Sequence, residues 1–490
     1  MKFVSKGQPE VKHRLVILTD MENEPDDSQT MVKLLMYSNE IEIEGLIAVT
    51  STWLRDVVFP ESIEDRVHAF GTVRKNLEKH AGGWPTVEEL LSKTAGGQRG
   101  YGMDAVGDGK DSEGSELIIK AVDKDDPRPV WVAINAGSNT LAQALWHIKQ
   151  TRSSKRVDLF VSKIRVYDDS GQDDAGAWMS HTFPDLFYIR SRAQVFGLLG
   201  PTEDAGPQPW LPLDQWDWAE MNVRTRHGSL GALYPQRIFK KGNFAFMEGG
   251  GTTTWLGLVN KGLFEPEQIS WGGWGGRLSW KKEQVSAGQL AVTPAEKKFA
   301  PWAMYPETKD FSFEWQDDTT WNKFSGVNGK TQYDLKTFAP LWRWRNGYVN
   351  DFKARMDWCV ADFMHANHHP VINFMGDTNR TVVILEVEPG EKLELDVSES
   401  YDPDNRIKSH GGQDRYEGVT TDKLSFKWFG YPEAGTYDGI ITVEKADESI
   451  ALFAVPEDAK GKQLHIILEV TDDHFDAPLT SYRRFVISVP

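Results

Sequence analysis

The chain has 490 residues, too many for one ordinary hydrophobic core, so two domains are expected. Its 40% hydrophobic and 26% charged residues are the proportions of a globular protein, and no apolar run approaches the roughly 20 residues of a membrane helix. A formal net charge of -17 argues against a nucleic-acid backbone as partner, which needs clustered Lys and Arg, and favours a neutral ligand.

A single cysteine, Cys359, rules out an intramolecular disulfide and leaves the redox compartment open. Met1 to Lys6 is not followed by an apolar segment, so no signal peptide is read here. Nineteen tryptophans are a heavy load; most are expected to pack, and a minority to face a ligand such as a sugar.

The first buried strand is expected at Leu15-Val16-Ile17-Leu18, followed by a helix from about Asp26-Asp27-Ser28, which offers a cap. Between them, Asp20 to Asp27 places five carboxylates in eight positions on a strand-to-helix loop, the place where open α/β sheets bind ligands. Capping alone accounts for one or two acids. Five like charges need a cation or raised pKa values to coexist, and a hard cation such as calcium is the simplest reading.

A second strand lies within Ile41–Thr50, with Ser51-Thr52-Trp53 at its carboxyl end, and a helix is expected over Glu61–Lys79. Gly96 to Gly102 is a glycine-dense loop without the strand-and-helix context of a dinucleotide site, so it is read as a wall near a pocket. Ser112–Val122 is a helix, Val130–Ile134 a third strand ending at Asn135, and Ser138–Lys149 the next helix. Lys163–Tyr167 is a fourth strand, followed by a second acidic loop that includes Asp173 and Asp174, with Trp178 and His181 beyond it. Two acidic loops on one edge suit a metal-assisted glycosidase; the alternative is a solvated loop with helix caps.

Residues 201–218 cluster proline and tryptophan as an excursion over the pocket, and Phe244–Met247 is a short strand ending at Glu248. His365, His368 and His369 are read as packing or surface histidines for want of a clear third ligand motif. From about Thr378 the pattern becomes strand and turn, around Trp428, so an α/β domain over 1–378 and an immunoglobulin-like β sandwich over 379–490 are expected.

The first loop, with Asp20, Glu22, Asp26 and Asp27, resembles the acidic signature of nucleoside hydrolases. Together with Asp111–Ser115, Asn139–Leu145, Gln172–Gly176 and Trp271–Gly276, it resembles a bacterial family of cellulose-binding proteins with a nucleoside-hydrolase-like N-terminal domain. That resemblance implies a Rossmann-like, mostly parallel sheet and a calcium-dependent glycoside hydrolase acting on a carbohydrate such as a plant cell-wall glycan. The implied metal ligands are Asp20, Glu22, Asp27, the Asn135 carbonyl and Glu248; Glu22 is the implied base and Asp26 the acceptor of sugar hydroxyls. Asn135, Asp173, Asp174, Trp178 and Glu248 complete the candidate sugar contacts. Gly250 stands where the family carries an acid, which favours the rival expectation of a glycan-binding protein that does not cleave. The resemblance also implies export, to the periplasm or beyond, with the leader removed.

Overall fold

Leu15 to Leu18 are all sealed from solvent, and strand alternation sends Leu15 and Ile17 into one apolar cluster and Val16 and Leu18 into another. A strand with core on both sides lies in the middle layer of a three-layer α/β domain. The computed structural model describes residues 2–6, 11–169, 171–191, 218–239, 242–244, 250–263, 266–285, 302–313, 335–405 and 422–490.

The first strand, β1 (Lys2–Lys6), belongs to the C-terminal part and is taken up below. The central sheet is built on β2 (His13–Thr19), β3 (Ile41–Ala48), β4 (Thr94–Gly96), β5 (Val130–Ile134), β6 (Ile164–Asp169) and β7 (Phe187–Ser191). Its eight strands run in the order Glu283–Val285, Trp302–Pro306, β7, β6, β5, β2, β3, β4, all parallel except the first pair. From β2 the chain moves one way, to β3 and β4, and from β5 it moves the other way, to β6 and β7. The order therefore reverses between β2 and β5, where the carboxyl ends of open α/β sheets leave a crevice for ligands.

The helices α1 (Pro25–Leu35) and α2 (Pro60–Leu77) pack on the face that holds Leu15 and Ile17. The helices Glu113–Asp123 and Asn139–Thr151 cover the other face. Among the described residues no helix is long and apolar enough to cross a membrane.

The C-terminal part has the expected sandwich form. A five-stranded sheet and a three-stranded one enclose a core of residues such as Leu395, Trp428, Phe453, Leu468 and Phe485. β1, which the division at 378 assigns to the α/β domain, forms the edge of the larger sheet, pairing antiparallel with Val383–Glu386.

The other face of that sheet is not left to water. Tyr431, Ile467 and Tyr482 belong to the same apolar cluster as α1 and Trp274, and the Trp344 and Tyr482 rings meet edge to face at 5.6 Å. Gly262 has φ 83°, and a Cβ there would stand 2.1 Å from the Tyr482 carbonyl oxygen, so only glycine lets the two backbones approach. Trp255, Trp274 and Trp344 are fully buried, so much of the tryptophan load is spent on packing. Cleavage within the exposed 378–379 turn should accordingly leave two fragments that co-elute on size exclusion; separate elution would show that this contact does not hold the parts together.

Candidate active site at the switch point

β2 ends by delivering Thr19 and Asp20 to the sheet edge, where the chain turns at once. The Asn23 N–H donates to the Asp20 carbonyl at 3.1 Å, and Asn23 Nδ2 donates to Asp20 Oδ2 at 2.9 Å. Inside this turn Glu22 has φ 70°, a left-handed conformation that costs a non-glycine residue about 1 kcal/mol or more. Pro25 then opens α1 at a position where no N–H is required. The helix therefore starts one residue before the expected cap, and Asp26 and Asp27 lie inside its first turn.

Asp27 is buried and turned inward. Its Oδ1 accepts the Thr19 hydroxyl, and its carboxyl shares a hydrogen bond with Asp20, itself 2% exposed. Burial is the main cause that pushes both acids up, Asp20 to about 7 and Asp27 well above the usual carboxylate range; the Asp26 charge adds to both. A hydrogen bond between two carboxyls requires that one of them keep its proton. Ser51, at the end of β3, also serves Asp20: its Oγ accepts the N–H groups of Trp53 and Leu54, which directs its own proton to the carboxylate.

Glu22 does not join this pair. Its carboxylate accepts the Ser62 hydroxyl and lies 3.6 Å from Arg66 on α2, with the side chain about half exposed at 49%. At the end of β5 the Asn135 carbonyl accepts Gln172 Nε2 at 2.9 Å, and the Thr254 hydroxyl, with one proton to give, stands 2.9 Å from Asn135 Oδ1 and 2.8 Å from the Gly251 carbonyl. The Asn135 Nδ2 group is buried and has no acceptor.

The second acidic loop is occupied by structural bonds. Asp173 accepts the Ser138 and Asn139 N–H groups at 2.8 and 3.0 Å and the Ser138 hydroxyl at 2.6 Å, fixing the start of the helix Asn139–Thr151. Asp174 accepts the Met103 N–H at 2.8 Å and so anchors the glycine-dense loop. Trp178 packs edge to face on Phe183. Glu248 lies outside the described residues, as do 201–217 of the proline-tryptophan excursion. The turn at Gly250 and Gly251 sits over the site: a Cβ on Gly250 would stand 2.6 Å from Asp26 Oδ2, and one on Gly251 would overlap the Asn135 side chain. Any side chain at 250 would displace Asp26 from where it stands.

The sequence profile of the family described as "Cellulose-binding Sde182, nucleoside hydrolase-like domain" matches residues 14–278, and that of the Sde0182 C-terminal domain matches 419–489. The chain belongs to the Sde182 family. A solved structure of a nucleoside hydrolase-related hypothetical protein from Saccharophagus degradans, described as associated with carbohydrate metabolism, is 35% identical to this Sde182-family chain. It covers 98% of this chain and 100% of its own, with a TM-score of 0.78. The effector proteins XOO4466 and XopQ, the latter complexed with adenosine diphosphate ribose, are matched at 11% and 12% identity over 72% and 60% of this chain. Those matches cover 95% and 79% of the effectors, with TM-scores of 0.30 and 0.26. No curated protein matches the chain.

For the calcium expected from the Sde182 resemblance, Asp20 and Asp27 have suitable chemistry: two buried carboxyls, with no cationic group among the main influences on either. Of the other expected ligands, Glu22 is engaged by Arg66 and the Asn135 carbonyl by Gln172. A cation here would displace the shared proton. Without it, Asp20 favours the folded state only while protonated, so its contribution is present below pH 4 and is lost as pH rises towards about 7. In chelator, Asp20→Asn should therefore be more stable than wild type at pH 8 and lose most of that advantage at pH 5. Thermal unfolding at the two pH values checks this, and a difference independent of pH would remove Asp20 from the linkage.

Proposed function

We propose that this protein binds a cellulose-type glycan at the carboxyl edge of its central sheet, with calcium held by Asp20 and Asp27. The buried Asn135 amide carries this reading. An N–H donor sealed from water without an acceptor is costly, and a sugar hydroxyl that reached it past the Gly250–Gly251 turn would supply one. Trp53, 67% exposed on the loop that Ser51 shapes, offers an aromatic face at the same edge for a pyranose ring. Action outside the cytoplasm agrees with such a ligand.

Hydrolysis is the second reading, favoured by the raised carboxyls of the Asp20–Asp27 pair, which are the kind of group that moves a proton near neutral pH. Asp26 would orient a sugar hydroxyl, and Glu22, released from Arg66, would take a proton from water. Bound calcium would supply charge stabilisation at the reacting centre.

Titration with cellooligosaccharides in calcium tests the binding. Asn135→Ala should weaken it by about tenfold, as loss of one buried hydrogen bond implies, and Trp53→Ala by a few-fold, as loss of roughly 0.5 to 1.5 kcal/mol of aromatic contact implies. Equal binding by wild type and Asn135→Ala would place the glycan elsewhere.

A further inference from the structure

Among the described residues, one group of three acids brings its oxygens together closely enough to share a metal ion, and it lies in the C-terminal sandwich. Asp402, Asp404 and Asp422 each offer a carboxylate oxygen, and these atoms lie within 4.8 Å of one another. All three side chains are nearly closed to solvent, at 2%, 7% and 8% exposure. Asp402 and Asp404 come from one turn, whose geometry is set by the Asp404 N–H donating to Asp402 Oδ1 at 2.7 Å. Asp422 is brought back to it by Asn405, which donates from Nδ2 to the Asp422 carbonyl at 2.6 Å and accepts the Asp422 N–H at 2.9 Å.

Three buried carboxylates repel unless something positive stands among them. His368 offsets one charge at most, on Asp404: its ring Nδ1 lies 2.7 Å from Asp404 Oδ1, and its backbone N–H donates to Oδ2 at 2.9 Å. Asp402 accepts the Asp404 and Asn405 N–H groups, but no cation is among the main influences on it. Its Oδ2 is sealed from solvent and meets no donor, while Asp404, Asp422 and the nearby buried Asp472 all add negative potential around it. A buried carboxylate oxygen without a donor is the feature that a cation explains. An open depression of about 430 Å³, lined by Ser398, Ser400, Tyr401, Asp402 and Asn405 among others, gives an ion a route in.

We propose that Asp402, Asp404 and Asp422 form a calcium site in the sandwich domain, separate from the switch-point site. The donors are all oxygen, which selects a hard divalent cation over zinc or copper, and calcium tolerates irregular oxygen sets better than magnesium. Through Asp404 the site touches His368, whose Nε2 lies 3.0 Å from His80 Nδ1 on the segment after α2. Ion binding thus reaches the contact between the two domains.

The proposal does not rest on the reading of the switch-point site, and the test separates them. Full-length protein stripped with chelator is titrated with calcium chloride by calorimetry, alongside Asp402→Asn and the double variant Asp20→Asn, Asp27→Asn. The double variant should still bind calcium, and Asp402→Asn should weaken that binding by more than about tenfold, the least loss common even for residues outside the ligand shell. No binding by the double variant, or unchanged affinity when Asp402→Asn is added to it, would overturn the site. If Asp402→Asn fails to fold, crystals of the unaltered protein soaked in terbium decide: anomalous density among the three carboxylates supports the site, and its absence there overturns it.

Discussion

Asp351→Ala should destabilise the protein by about 3 to 5 kcal/mol, the usual result of removing one partner from a buried ionic group. Asp351 is 1% exposed; its Oδ1 is 3.2 Å from Lys261 Nζ and also meets His369, and its Oδ2 accepts Arg355 Nε at 3.1 Å. Burial pushes the Asp351 carboxyl up, but Arg355, Lys261 and His369 together hold it well below the usual carboxylate range. Arg355 reaches on to the Met36 carbonyl at 2.8 Å and to Glu40, which also lies 3.3 Å from Arg380. Removing Asp351 leaves Glu40 to balance Lys261 and Arg355 in a closed environment, with Arg380 at its partly exposed edge. Urea unfolding midpoints measure the effect, and a loss below about 1 kcal/mol would show that Glu40 suffices alone.

If the protein hydrolyses glycans, Glu22→Gln should lower turnover by about 10² to 10⁴-fold, the contribution of a general base, while glycan affinity stays within a few-fold. The substitution keeps the size of the side chain and a donor-acceptor pair for Ser62 and Arg66. Asp27→Asn should instead lower calcium affinity, because it takes away one of the two buried acids proposed to hold the ion. The pair of variants therefore separates proton transfer from ion binding, assayed on cellooligosaccharides, furanosides and nucleosides with calcium present. Turnover unaffected by Glu22→Gln would fit its present engagement with Arg66 and remove it from the chemistry. No turnover by wild type on any of these would leave the binding reading alone.

The central strands were legible because strands buried on both faces appear as unbroken apolar runs, as at Leu15–Leu18 and Val130–Ile134. The acidic loop was legible because its charge density exceeded what capping requires. What could not be read was the direction each acid takes. Glu22 answers to Arg66 on a later helix, and Asp173 answers to two N–H groups at the start of another, contacts that only the assembled fold creates. Ser51, which meets Asp20, was marked only by its place at the end of a strand, and Gln172, which meets the Asn135 carbonyl, only by lying in a stretch that resembles the family. The three histidines are better explained: His365, His368 and His369 each pair with a different carboxylate, Asp362, Asp404 and Asp351, in keeping with packing and surface roles.

The placement of β1 orders events in time. Its partner, Val383–Glu386, pairs in turn with Phe485–Ser488, so β1 joins a sheet whose other strands are made only after the whole α/β domain. The α/β domain, whose strand contacts are nearer in sequence, has the means to assemble during synthesis. β1 must wait, an unpaired strand beside a nascent domain, until the strands of the sandwich have followed it. A folding helper that shields β1 would act at the stage when the chain is most exposed to mispairing with another copy.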